Sequence, residues 1–111
     1  MIDRNVAEHY LWGQGCDGWH LLKSPELSVI QERMPPGASE VRHLHQKSFQ
    51  FFFILSGEAT MEVDGKVERL HPGQGIEIPP LAPHQMMNRS EAVLEFLAVS
   101  CPPNHGDRTA A

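Results

Sequence analysis

The chain has 111 residues, 41% hydrophobic and 21% charged, a composition typical of one globular domain with a single core. Nine Lys and Arg against fourteen Asp and Glu give a formal net charge of −5. Binding to nucleic acid or to an anionic membrane surface requires clustered basic residues, so we expect neither as a partner. No apolar run reaches bilayer length and the first five residues have no apolar signal core, so we expect a cytoplasmic protein.

The first expected elements are a short helix and two short strands. Asp3 can cap a helix over residues 3–12. Glycines in residues 13–18 then favour a loop, and strands are expected over 19–23 and 26–34. The two cysteines lie in unrelated contexts without a CxxC spacing, so we expect free thiols rather than a thiol metal site.

The rest of the chain alternates between short apolar runs and turn residues. Asp64-Gly65, between two alternating runs, is the strongest hairpin signal and predicts a two-residue type I′ turn. The polar tail, residues 102–111, is expected to be frayed and flexible. Short strands with closely spaced turns and almost no helix predict an all-β sandwich or barrel. The further strands are expected over residues 39–45, 50–56, 59–63, 66–70, 75–79, 84–88 and 92–100.

One of these strands is apolar on both faces. If Gln50 faces inward, Phe52 and Ile54 also face inward, because side chains alternate along a strand. The residues between them are large and apolar, and such an outer face must be covered by the N-terminal strands or by a second copy of the chain. We therefore predict a homodimer through the outer residues Phe49, Phe51, Phe53 and Leu55.

Two histidines separated by one residue indicate a metal site. His43 and His45 would point to the same side of a strand, and paired imidazoles are a common start of a divalent metal site. Gln50 would add an amide oxygen, and His84 is the best candidate for a third imidazole. A polar cluster that merely fills the barrel is the alternative. His9, His20, His71 and His105 fit neither pattern and are expected at the surface.

The glycines, prolines and histidines of two segments recur at fixed spacings. The first segment runs from Gly37 through His43, His45 and Gln50 to Gly57, and the second contains Gly73, Pro79, His84 and Asn88. This arrangement resembles the two sequence motifs of the cupin superfamily, in particular the small single-domain bacterial cupins. The resemblance implies one cupin-type β-barrel (a double-stranded β-helix, or jelly roll) over residues 1–111, with an N-terminal extension over 1–18 and a flexible tail over 102–111.

The resemblance also implies a ligand set for one divalent ion, namely His43, His45 and His84 with Gln50 as a fourth or weak ligand. Gln50 departs from the family pattern, which has an acidic residue at this position. A neutral amide leaves the full +2 charge on the ion, so the site should attract an anionic ligand more strongly and hold its metal less tightly. The imidazoles do not choose among Zn, Fe, Ni, Mn and Cu.

Upstream of the first motif, Arg33 resembles an arginine that faces the metal in oxalate-degrading cupins. Carried over, Arg33 would face the cavity together with Gln31 and Val29, and its guanidinium would favour a carboxylate or enolate substrate. A solvent-facing charge on an edge strand is the alternative for Arg33. The apolar cavity walls would be Phe52, Ile54, Met61 and Met86.

These residues support a metal-dependent enzyme that acts on a small organic acid or enolisable compound, either a dioxygenase-like oxidoreductase or an isomerase. The sequence identifies no catalytic acid or base. A non-catalytic module that binds or carries a small ligand shares every motif, because a fold hosts many functions. A purely structural or storage cupin, with neither metal nor ligand, is the third class.

Overall fold

The computed structural model describes residues 1–104 and 106–111, in which it has eleven β-strands and no helix. The prediction of an all-β fold is thus confirmed, and no helix in these residues could span a membrane. The strands are β1 (Glu8–Trp12), β2 (Cys16–Lys23), β3 (Ser28–Met34), β4 (His43–His45), β5 (Phe49–Ser56), β6 (Ala59–Val63), β7 (Lys66–Leu70), β8 (Gly75–Ile78), β9 (His84–Met87), β10 (Leu94–Cys101) and β11 (Arg108–Ala110).

The strands form two antiparallel sheets that face each other in a jelly-roll barrel. The larger sheet has the order β1-β2-β3-β10-β5-β8, and the smaller sheet has the order β11-β4-β9-β6-β7. Strands distant in sequence are neighbours in both sheets, so each sheet depends on long-range pairing. Cys16 and Cys101 are free thiols.

The hairpin between β6 and β7 forms as predicted. Both central residues have positive φ, 51° at Asp64 and 86° at Gly65, and a type I′ turn requires this at both positions. Val63 pairs with Lys66 directly across the turn. Asp and Gly tolerate the left-handed region better than other residues do, so the dipeptide fixes the register of both strands.

The space between the sheets is filled by a core at one end and left partly open at the other. Along β10, alternate residues face inward. Leu94 and Phe96 are fully buried in the core, whereas Ala98 and Ser100 are small and line a cavity. The largest fully buried apolar side chains are Met34, Ile54, Met61, Ile78, Met86, Leu94 and Phe96.

The predicted helix over residues 3–12 is wrong. Asp3 does start a turn, since the Ala7 backbone N–H donates to the Asp3 carbonyl at 2.9 Å. The chain then becomes β1, which pairs with β2 from Glu8 to Trp12. A helix this short is marginal on its own, and Tyr10 and Trp12 suit a sheet that buries one of their faces.

The C-terminal tail also differs from expectation, because it contains β11, which pairs with β4. Without β11, strand β4 would lie at the edge of the smaller sheet with unpaired backbone groups. The Asp107 carboxylate accepts hydrogen bonds from the backbone N–H groups of Lys47, at 3.0 Å, and Ser48, at 2.9 Å. These donors lower the pKa of Asp107 and attach the tail to the loop between β4 and β5. His105 lies outside the described residues.

Candidate metal centre and its cavity

Three buried imidazoles converge on the inner face of the smaller sheet. His43 and His45 share one face of β4, and His84 at the start of β9 pairs directly with His43. One nitrogen from each ring lies within 4.8 Å of the others. The ring centroids of His43 and His84 are 4.5 Å apart, and those of His43 and His45 are 4.8 Å apart. This cluster could hold one metal ion.

Backbone carbonyls fix the orientation of two of these rings. His43 Nδ1 lies 2.7 Å from the Val41 carbonyl, and His84 Nδ1 lies 3.0 Å from the Ala82 carbonyl. Because a carbonyl only accepts, each Nδ1 carries the proton and each Nε2 keeps its lone pair. Metal-binding histidines are oriented in this way in proteins.

Several buried polar atoms around these rings have no hydrogen-bond partner within the described part of the chain. They are both ring nitrogens of His45, His84 Nε2 and Gln50 Oε1. The Gln50 amide nitrogen is satisfied, since it donates to Ser100 Oγ at 3.1 Å. Leaving buried acceptors unpaired is unfavourable, and a cation would satisfy His84 Nε2, Gln50 Oε1 and the one unprotonated nitrogen of His45. The residues therefore fit a divalent ion.

The protonation of the cluster also suits metal binding. Burial lowers the pKa of all three histidines, and it lowers the pKa of His43 to about 4. All three rings are therefore neutral at pH 7. Metal binding requires unprotonated imidazole, so no proton has to be displaced at neutral pH.

A cavity of about 200 Å³ lies beside the cluster, between the two sheets. It is smaller than the roughly 300–1,000 Å³ of pockets for drug-sized ligands, so it suits a small molecule. Its walls combine aromatic side chains with several charged and polar groups. The lining residues are Tyr10, Trp12, Ile30, Glu32, Glu40, His43, Gln50, Phe52, Ala98, Ser100, Asn104 and Arg108.

The predicted orientation of β3 is wrong. Ile30 and Glu32 line the cavity, whereas Val29, Gln31 and Arg33 lie on the opposite face of the strand. The Arg33 guanidinium is 3.4 Å from Asp17 on the neighbouring strand β2. Burial of Met34 in the core fixes this alternation, because alternate residues of a strand share a face. Arg33 therefore does not contact the cavity.

The structure places the four residues predicted as apolar cavity walls in two different regions. Phe52 lines the cavity, but Ile54, Met61 and Met86 do not. These three side chains are fully buried in the hydrophobic core instead. They fill the closed end of the barrel and leave the open end to smaller and more polar groups.

The sequence analysis missed the groups that the chain ends bring to the cavity. Tyr10 and Trp12 come from β1, and Arg108 comes from β11. The Arg108 guanidinium donates to the Val41 carbonyl at 3.1 Å, two residues before the start of β4. Glu32 shares a face of β3 with Ile30 and the buried Met34, so the alternation along the strand would have indicated it if the burial of Met34 had been known.

Two carboxyl groups in the cavity wall have unusual protonation. Burial raises the pKa of Glu32 to about 7 and that of Glu40 to about 8. Arg108 opposes both shifts, because a positive charge favours the carboxylate. Perturbed groups in a cleft are typical of functional sites.

His9, His20 and His71, which were expected at the surface, lie outside this cluster. His71 is exposed and contacts Glu58, and His9 contacts Asp17. His20 is partly buried and packs beside Tyr10, with ring centroids 5.0 Å apart. His105 cannot be placed, as it lies outside the described residues.

Comparison with known proteins agrees with this architecture. Residues 30–100, more than half of the chain, match the family model of the cupin domain. The chain belongs to the cupin family. This cupin is 33% identical over 67 residues to an oxalate-binding protein of Thermotoga maritima. The match covers 60% of the cupin and 55% of that protein, so it spans about half the length of the relative.

Two solved structures share the cupin fold over nearly the whole chain. The polyketide cyclase RemF from Streptomyces resistomycificus superimposes with a TM-score of 0.87 at 16% identity, covering 100% of this cupin and 84% of RemF. A predicted oxalate decarboxylase from Thermotoga maritima gives a TM-score of 0.85 at 22% identity, covering 93% and 99% of the two chains. At these identities the likeness shows the fold alone.

Proposed function

We propose that this cupin binds one divalent metal ion and is a metal-dependent enzyme that acts on a small organic acid or enolisable compound. The observation that carries the proposal is the group of buried atoms on His45, His84 and Gln50 that have no hydrogen-bond partner within the described residues, next to a cavity that His43 and Gln50 line. His43, His45 and His84 hold the ion, and Gln50 Oε1 is the fourth, weaker ligand. A divalent ion in this position supplies Lewis acidity toward a bound oxygen atom.

Arg108 takes the role that the sequence suggested for Arg33. Its guanidinium lines the cavity and can bind a carboxylate through paired hydrogen bonds. Phe52 and Trp12 supply apolar wall on either side of the polar groups. The small cavity volume and the oxalate-binding relative both favour a small carboxylate as the ligand.

Metal content and turnover together test the proposal. Protein grown in media with Zn, Fe, Ni, Mn or Cu is analysed for metal, and its oxygen uptake is followed with oxalate and a panel of small 2-oxo and 2-hydroxy acids. We expect one ion per chain. Turnover that tracks iron loading supports the dioxygenase-like reaction, and anaerobic conversion of substrate supports an isomerase. Protein that retains no metal from any medium contradicts the proposal.

A carrier function is the second candidate, because the related protein is described as oxalate-binding. In that case the same panel gives tight retention of one acid without consumption of oxygen or change of the acid. Retention is measured by equilibrium dialysis with radiolabelled oxalate. The two candidates therefore differ in turnover, not in metal content.

The outer face of β5 supports a homodimer. Phe49, Phe51 and Leu55 are 41%, 38% and 40% exposed, and the Phe51 and Phe53 rings stack at 6.4 Å. We expect Phe51→Asp to give a monomer or insoluble protein, because it places a charge in the apolar contact. Sedimentation equilibrium measures the mass, and Lys66→Asp on the exposed hairpin is the control. A soluble Phe51→Asp dimer would exclude this interface.

A further inference from the structure

Glu32 and Tyr10 form a pair in the cavity wall that the metal centre does not use. Glu32 lies on β3 and Tyr10 on β1, both in the larger sheet, whereas the histidines lie on the smaller sheet. Both residues line the cavity together with His43. A molecule bound in the cavity therefore lies between the histidine cluster and this pair.

One hydrogen bond joins the two side chains of the pair. The Tyr10 hydroxyl donates to Glu32 Oε1 at 3.3 Å. Across residues 1–104 and 106–111, the Glu32 carboxyl has no ion pair, whereas Asp17, Glu62 and Glu95 contact arginines. The carboxyl group of Glu32 therefore lies in the cavity wall without an ion-pair partner among the described residues.

The second cavity carboxyl is different, because it has a structural partner. The Met86 backbone N–H donates to Glu40 Oε1 at 2.8 Å, and the Glu40 backbone N–H returns a hydrogen bond to the Met86 carbonyl at 3.0 Å. Glu40 thus joins its loop to β9. Among the described residues, Glu32 makes no such backbone contact through its side chain, so its carboxyl can exchange a proton without breaking the fold.

We propose that Glu32, positioned by Tyr10, is the general acid–base of this cupin and takes a proton from the carbon next to the carbonyl of an enolisable carboxylic acid. The inference rests on the proposed function, whose reaction it specifies. The C–H bond breaks, its electron pair stays on the substrate as an enolate, and the proton moves to a Glu32 carboxylate oxygen. Return of a proton from Glu32 to carbon reverses the step.

The electrostatic surroundings suit this role. Burial raises the pKa of Glu32 to about 7, and the hydrogen bond from Tyr10 and the charge of Arg108 oppose that shift. A base works best when its pKa is close to the working pH. The other titratable or charged groups that face Glu32 are Tyr10, Cys16, Glu40, His43 and Arg108.

Deuterium exchange tests the step directly. Zinc-loaded protein is incubated with 2-oxobutyrate in D2O, and loss of the methylene signal next to the carbonyl is followed by proton NMR. We expect Glu32→Gln to slow exchange at least about a hundredfold, as loss of a general base does. Metal content and the dissociation constant of 2-oxobutyrate should stay within about threefold. Glu91→Gln, at an exposed position before β10, is the matched control, and Glu32→Asp should recover part of the rate.

The role of Tyr10 is tested by a pH titration that needs no turnover. The carboxyl signal of Glu32 is followed by carbon-13 NMR in the metal-free protein. Tyr10→Phe removes the hydroxyl donor to the carboxylate, so the midpoint of the Glu32 titration should move to higher pH. The pH profile of exchange in zinc-loaded protein should move in the same direction. A merely structural tyrosine would leave both midpoints unchanged.

The results separate failure of this inference from failure of the proposed function. Exchange by Glu32→Gln within threefold of wild type overturns the role of Glu32 and leaves the metal site intact. Binding of zinc and 2-oxobutyrate by the wild type without any exchange also overturns it. Protein that binds neither zinc nor 2-oxobutyrate ends both proposals.

Discussion

The metal centre and the rest of the cavity wall are built from different kinds of sequence. His43, His45 and Gln50 come from one short segment, and His84 opens a strand that pairs with β4. By contrast, Tyr10 and Arg108 come from the two ends of the chain. Three members of the proposed ligand set are thus encoded by local spacing, whereas part of the remaining wall is supplied by the terminal strands β1 and β11, which pair with β2 and β4.

This difference separates two tasks within one cavity. The histidine cluster is neutral, buried and held by backbone carbonyls, which suits a site that binds a cation. The chain ends add a hydroxyl and a guanidinium, which suit recognition of an anionic organic molecule. We therefore expect changes in the two regions to affect different measurements.

The largest expected effect is loss of metal on removal of a ligand. His84→Ala and His45→Ala should each weaken metal binding more than about a hundredfold, since they remove a first ligand rather than its supporting contacts. Competition with a fluorescent chelator measures the affinity, and circular dichroism checks the fold. His71→Ala, at an exposed position, is the control. Full metal occupancy in either variant would rule out the ligand assignment.

Removal of the positive charge of Arg108 should weaken binding of the organic ligand and leave metal binding unchanged. Arg108→Gln is expected to weaken oxalate binding about tenfold, the scale of one lost charged hydrogen bond, while the metal stays bound. Isothermal titration of metal-loaded protein measures both. Arg33→Gln on the outer face should change neither, and equal losses in the two variants would contradict the assignment of Arg108.

Gln50 lies where the two regions meet, and changing it should alter the metal centre modestly. Gln50→Glu replaces an amide oxygen with a carboxylate, a better donor that lowers the net charge of the site. We expect metal binding to tighten about tenfold and the pH of metal release to move downward. Dialysis against buffers of decreasing pH gives that midpoint. Weaker binding would mean that residue 50 does not reach the ion.

The smallest expected effect is on the pH dependence of stability. In metal-free protein, Glu32 has a pKa of about 7, above its ordinary value of 4.5. Between these values the folded state binds more protons than the unfolded chain, so Glu32 makes stability fall as pH rises through this window. Glu32→Gln should make the fall shallower in urea unfolding at pH 5 and pH 7.5. An unchanged slope would contradict the raised pKa.

The sequence predicted the regions where a local rule decides the outcome. Asp64-Gly65 fixes a hairpin by its backbone preference, and the alternation along β5 correctly placed Gln50 inward and Phe51 outward. The alternation of side chains does not by itself show which face of β3 points inward, so the sequence favoured Arg33 rather than Glu32 as the cavity residue. The buried Met34 would have set that direction, but its burial depends on strands that follow later in the chain.

The chain ends could not be predicted from local pattern. Residues 3–12 begin with a helical turn at Asp3, and only the pairing with β2 makes β1 a strand. The tail is polar and short, and its order comes from the free edge of β4 and from the carboxylate of Asp107. The edge of β4 and the backbone N–H groups that Asp107 binds both lie outside the tail, so the composition of the tail does not show them.

The carboxylate of Asp107 links the C-terminal tail to the connection between β4 and β5. It fastens the amide groups of residues 46–48, the connection that separates His45 from Gln50. Thermodynamic linkage then requires that pairing of the C-terminal strand β11 and ordering of the connection between β4 and β5 stabilise each other. Uptake of the ion should therefore slow amide hydrogen exchange in the final strand, far along the chain from the imidazoles themselves.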